Sequence, residues 1–145
     1  MEPLIDIEIE ADGWLDALPD VQEVVQTGIL AALNAVDVTE QTDIVVLLCD
    51  DAEIKSLNKE YRQKNAPTNV LSFPAPKMKG MAHLGDIALG LETCVREAEE
   101  QRKTLKNHVL HLSVHGALHL LGYDHMTDEE AEEMENLERD ILKSL

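Results

Sequence analysis

Aromatic side chains are scarce in this sequence: one Trp, two Tyr and one Phe make up 3% of its 145 residues. The apolar share is still 44%. The core must therefore be built from Leu, Ile, Val, Ala and Met, with no series of aromatic platforms for stacking the successive bases of a single strand. Cysteine is equally sparse. Cys49 stands in a strand-like run and Cys94 in a helical one, which suits two buried, reduced thiols better than a disulfide framework, and neither is assigned to a metal. No apolar stretch reaches the roughly 20 residues needed to cross a bilayer. The start, MEPLIDIEIEADG, carries acids rather than the basic and then apolar segments of a signal peptide. The expectation is a cytoplasmic protein with no membrane partner.

Basic residues are outnumbered 12 to 29, for a formal charge of −17. Taken as an average, that excludes a general affinity for nucleic acid, and DNA is not expected as a partner. The charge is unevenly spread. Between Ile54 and His83 stand Lys55, Lys59, Arg62, Lys64, Lys77 and Lys79 against Glu60 alone, a net +5 that leaves −22 for the remainder. Phosphate neutralisation is local, so a positive segment inside an acidic protein fits a polyanion-binding cleft. It equally fits a solvated helix face followed by a lysine-bearing loop.

The length suits one domain, residues 1–145. Leu4 to Ala11 alternates apolar and acidic residues, the period of a half-buried strand. Pro19 and Asp20 open a helix with Val21, Val24, Val25, Ile29, Leu30 and Leu33 on its apolar stripe. Ile44 to Cys49 is wholly apolar and β-branched at its start, as in a buried central strand. Asp50 with Glu53 forms a capping-box-like start for a helix to about Tyr61, and a polar loop from Arg62 to Asn69 follows it. A strand over Val70–Phe73, ended by Pro74, precedes an irregular and mobile stretch to His83. Another strand is expected over Leu84–Leu89, then helices over Leu91–Lys103 and Leu105–Leu121. Thr127 and Glu130 cap a last helix to about Leu142, whose eight acids from Asp128 to Asp140 read as a solvated face. The fold class is α+β, a mixed sheet of about four strands with about five helices, the choice between hairpins and crossovers being open at this level.

The stretch on which the chain is organised is HLSVHGALHLLGYDH, His111 to His125. His115 and His119 are four apart, so on a helix they share a face one turn apart. Gly122 follows where a helix can end in a left-handed residue, and the reversed chain can bring His125 to the same point. The spacing H-x-x-x-H-x-x-G-x-x-H is that of the metzincin zinc site, except that the Glu after the first His is here Gly116. Three neutral imidazoles leave a tetrahedral zinc one open position, where bound water has a pKa of about 7. The alternative is that histidines at helical spacing are core residues satisfied by backbone carbonyls; His108 and His111 fall on the same face, and His108 is not expected to bind the metal. His111, a turn further back, is read as a packing residue or a partner behind the ligands.

Three blocks also carry a family resemblance: HGALHLLGYDH over His115–His125, LNKEYRQKNAPTNVLSFP over Leu57–Pro74, and Gly85-Asp86-Ile87. In this order and in a chain of this length they resemble the YbeY family, bacterial metal-dependent endoribonucleases of ribosomal RNA maturation. The resemblance implies a zincin-like arrangement and one zinc ion on His115, His119 and His125. It implies a single-strand-specific cleavage of RNA serving 16S ribosomal RNA maturation, ribosome biogenesis and quality control. It also implies a catalytic Arg62, at the position of the family's Arg in KEYRQKN, whose alternative is a structural salt bridge. Small-subunit ribosomal proteins or assembly GTPases are further partner candidates. Asn65 and Asn69 depart from the family pattern, which leads one to expect Asp at both.

Two other functions compete. A zinc metallopeptidase would use a Glu after the first His as its general base, and Gly116 has no group for the task. A non-catalytic, zinc-stabilised ribosome-assembly factor would need a closed site, with Asp124 or His83 as a fourth ligand. Asp124 otherwise orients a ligand imidazole or stabilises the Gly122 turn, and Asp86 is left without a role.

Overall fold

The computed structural model describes residues 3–38, 41–76 and 82–145. Lys77 and Lys79, and with them half of the stretch expected to be mobile, lie outside the described residues. Four strands form one sheet: β1 (Leu4–Ile9), β2 (Asp43–Cys49), β3 (Val70–Pro74) and β4 (His83–Gly90). Their order is β1-β2-β4-β3; β1 and β4 run parallel to β2, while β3 runs antiparallel to β4 at the edge. The sheet is thus mixed, as expected, and β2 is central. The ambiguity of connection is resolved by helices between β1 and β2 and between β2 and β3, and by the antiparallel pairing of β3 with β4 at the edge.

Six helices accompany the sheet: α1 (Gly13–Ala17), α2 (Val21–Ala35), α3 (Asp51–Arg62), α4 (Leu91–Glu100), α5 (Leu105–Leu120) and α6 (Asp128–Lys143). The sequence leads to about five, and α1 is the addition. A single turn forms there because Trp14 is fully buried and its indole N–H donates to the Cys49 carbonyl at 2.8 Å, a tertiary contact with no local pattern. The first strand stops at Ile9, two residues early, because the amides of Glu10 and Ala11 both turn to the Leu48 carbonyl. Helix α4 ends at Glu100, short of Lys103: Arg102 is left-handed (φ 56°), and the Lys103 amide reaches back to the Ala98 carbonyl at 3.0 Å.

The main core lies between the sheet and helices α2 and α5, joining Ile44, Val46, Leu48, Ile87 and Leu89 to Ile29, Leu33, Val114 and Leu118. Each such side chain contributes about 1.5–3 kcal/mol on full burial. On the other face Leu71, Ala88 and Cys49 pack under Ile54 of α3. Helix α5 is therefore enclosed on most sides, as its all-round apolar pattern requires. Both thiols are free and buried, and burial first, then Glu97 and Asp51, push the Cys94 thiol up to about 12. Such a thiol is inert rather than a ligand. Among the described residues no helix is long and apolar enough to cross a membrane.

Candidate metal centre

Helix α5 starts at Thr104, whose hydroxyl accepts from the Asn107 amide at 3.0 Å, and from there its 3.6-residue period carries His115 and His119 onto one face. The helix stops at Leu120, and Gly122 takes φ 102°. A Cβ there would meet nothing within 4 Å, so glycine is needed for this conformation rather than for space. The turn returns His125 to the helix face, and the Asp124 carboxylate accepts from the His125 amide at 2.8 Å. Asp124 thus holds the turn, and among the hydrogen bonds of the described residues it bonds no ligand imidazole.

One ligand nitrogen from each of His115, His119 and His125 lies within 4.8 Å of the others. Nε2 of His115 and Nε2 of His119 face each other at 3.1 Å, close to the roughly 3.3 Å between ligand atoms of a tetrahedral zinc. Burial, then the neighbouring His115 and His125, lowers the pKa of His119, with Asp124 and a backbone bond at Tyr123 opposing. That ring is held in the neutral form a metal requires. The donor set fits a transition-metal ion, and the three histidines expected from the sequence are the three brought together. Among the described residues no further ligand joins them, and His83 is paired with Asp86 at 3.0 Å.

Behind the cluster stands a residue the sequence reading does not single out. Glu138 of α6 is 6% exposed, although it belongs to the acidic run read as a solvated face. The other seven acids of that run are exposed. Its carboxylate bonds Nδ1 of His115 and, at 3.3 Å, Nε2 of His111. Burial works against its ionised form, yet the hydrogen bonds and charge of His111 and His115 hold its pKa at about 2. A spacing signal exists: Met134, Glu138 and Ile141 fall at i, i+4 and i+7, the buried stripe of α6. His108 sits deeper, 3% exposed and bonded to Glu97 at 2.9 Å, as a core residue.

Arg62 is the last residue of α3 rather than part of the following loop. Gln63 is left-handed beyond it (φ 58°). The exposed guanidinium donates to the Ser72 carbonyl at 2.5 Å and lies 5.6 Å from the centre of the Phe73 ring. No carboxylate pairs with it among the bonds of the described residues, contrary to the structural salt bridge weighed for it. Arg62 and Lys64 line a cavity of about 670 Å³ together with His115, His119 and His125. Asn69 lies on the same wall and donates to Glu97 at 2.9 Å. An ionised Asp would instead set two negative charges against each other, which accounts for the Asn where the family resemblance suggests Asp. Gly116 faces inward: a Cβ there would meet Ile87 at 3.2 Å and the Ser72 hydroxyl at 3.3 Å. The position that bears a base in the metallopeptidases is here a packing contact between α5 and the sheet.

A mixed sheet with an antiparallel edge strand beside the ligand-bearing helix, and a glycine turn returning the third imidazole, place the chain in the zincin-like class of metallohydrolase folds. Comparison with known proteins narrows that class. A family model described as "Endoribonuclease YbeY" matches residues 8–145. The chain is 48% identical to an endoribonuclease YbeY of Bradyrhizobium sp., over 99% of this chain and 89% of that protein. It is also 48% identical to one from Chelativorans sp., over 97% and 88%. The solution structure of TM1509 from Thermotoga maritima superposes with a TM-score of 0.63 at 27% identity, over 97% of this chain and 87% of that one. The chain belongs to the YbeY endoribonuclease family.

Proposed function

We propose that the chain is a metal-dependent endoribonuclease that cuts single-stranded RNA at one zinc ion held by His115, His119 and His125. The observation that carries this reading is the convergence of three histidine nitrogens within 4.8 Å beside a cationic wall, in a chain of this family. Bound there, zinc acts as a Lewis acid and supplies hydroxide near neutral pH. The chain's own contribution is to hold the phosphodiester and offset its charge. Arg62 is anchored through one N–H to Ser72 and keeps its remaining donors for phosphoryl oxygens, where it neutralises charge as the pentacoordinate state forms. Lys64, exposed on the same wall, adds a second cation along the backbone.

A metallopeptidase is disfavoured, because residue 116 has no carboxylate and even a Cβ there would press on Ile87 at 3.2 Å. A purely structural zinc is disfavoured by the lack of a fourth protein ligand among the described residues. The wider role is maturation of 16S ribosomal RNA in the cytoplasm, within ribosome biogenesis and quality control, by one domain over 1–145. Small-subunit ribosomal proteins or assembly GTPases are its further partners. The test is an assay of the zinc-loaded protein on single-stranded ribosomal RNA and on peptides across a salt series. Expected are RNA cleavage that weakens as salt rises and no peptide turnover. Metal-dependent peptidase activity with intact RNA would reverse the assignment.

A further inference from the structure

Helix α6 is acidic on every exposed turn, yet it buries one carboxylate among its apolar anchors Met134 and Ile141. Burying a charge is costly unless partners satisfy it, so Glu138 needs a compensating role. Its two oxygens span consecutive turns of α5, one on Nδ1 of His115 and the other on Nε2 of His111. A carboxylate only accepts hydrogen bonds, so Nδ1 of His115 must donate. The neutral ring then carries its lone pair on Nε2, the nitrogen that faces His119 at 3.1 Å.

We propose that Glu138 is the positioning residue of the metal centre: it locks His115 in the tautomer and ring orientation that present Nε2 to the ion, and thereby couples the docking of α6 to metal binding. The inference rests on the three-histidine reading above. Without the carboxylate the ring is free to turn about its χ2 bond and to hold its proton on either nitrogen, so part of the population presents no ligand atom. The coupling also runs the other way. Whatever factor α6 docking contributes to metal affinity, metal must return to the docking of α6, because linkage between binding equilibria is reciprocal. Met134 and Ile141, seated in the core on either side of Glu138, transmit that tightening along the helix.

The experiment measures zinc affinity by chelator competition in the wild type, Glu138→Gln and His111→Ala. It adds ¹⁵N NMR of the His115 ring in metal-free protein and amide exchange along α6 with and without zinc. Gln conserves volume but offers both a donor and an acceptor, so it no longer selects a tautomer. Glu138→Gln is expected to weaken zinc binding about 10- to 100-fold and to give mixed His115 tautomers. It should also abolish the zinc-induced protection of α6 expected in the wild type. His111→Ala, which leaves the bond from His115 to Glu138 in place, should weaken zinc by no more than a few-fold. The NMR arm needs no variant: metal-free wild-type protein whose His115 carries its proton on Nε2 overturns the inference. So does Glu138→Gln protein that binds zinc as tightly as the wild type, and in that case the three-histidine reading stands. Wild-type protein that holds no zinc overturns both.

Discussion

The two walls of the cleft are built differently. On the α5–α6 wall, imidazoles and a buried carboxylate bond one another in a closed network, with His111 and His115 both on Glu138. On the α3–β3 wall, Arg62 and Lys64 stand in solvent, and Arg62 is held by one carbonyl and the face of Phe73. A metal site gains from the first arrangement, because ligands fixed before the ion arrives lose little freedom on binding it. A phosphate site gains from the second, because the cations must exchange water for a passing polyanion. Substitutions on the first wall should therefore move metal content, and often stability. Those on the second should move turnover alone.

The largest break in that comparison comes from the first wall. His119→Ala should leave the purified protein almost free of zinc and lower RNA cleavage by about 1,000-fold or more, since a Lewis acid is worth several kcal/mol at the transition state; metal analysis beside a cleavage assay checks it. On the opposite wall Arg62→Ala should lower cleavage by about 100- to 1,000-fold, the usual loss of one positioned donor at developing charge. Its zinc content and melting temperature should stay at wild-type values, and Arg62→Lys should recover only part of the rate, lacking the planar fork. Parallel loss of stability and rate in Arg62→Ala would show the residue to be structural and would erase the contrast between the walls.

A smaller effect is expected where the walls meet. Asn69→Asp replaces a donor to Glu97 with a second negative charge and should destabilise the fold by about 1–2 kcal/mol at neutral pH. Denaturant titrations should show the loss shrinking as the pH falls through the carboxylate range, where one of the pair takes up a proton. The smallest effect concerns His108, whose burial, with a smaller contribution from neighbouring Lys103, lowers its pKa against the bond to Glu97. The unfolded chain takes up this proton near the ordinary 6.5, while the folded chain does so only at lower pH. Stability of the metal-free protein should therefore fall as the pH drops below that value. A His108→Gln variant should show a shallower fall, and an unchanged slope would remove His108 from the account.

Much of this was legible in the chain because the signals are local. His115, His119, Gly122 and His125 fall within one helix and its turn, so helical periodicity and one glycine suffice to bring the ligands together. The caps at Asp50 and Thr127 form as their spacing indicates, on the amides of Glu53 and Glu130. Glu138 was hidden because it is one of eight acids in the run, and charge counting cannot tell which of them faces a neighbouring helix. The bond that matters joins α6 to α5 across 23 residues. Arg62 was found through a family motif, but its anchor on Ser72 depends on β3 lying at the sheet edge, and strand order is set by long-range pairing. The short α1 helix eluded the periodicity because a single buried indole, not a stripe, holds it in place.

The central claim is that these three histidines form the metal centre at which RNA is cut. The most direct test strips the protein with a chelator, assays ribosomal RNA cleavage, and restores zinc in measured increments, with His119→Ala treated alongside. The account predicts that cleavage disappears on stripping and returns in proportion to zinc up to about one ion per chain, and that the variant is inactive throughout. Cleavage that survives complete removal of metal, or that returns equally in His119→Ala, would contradict it.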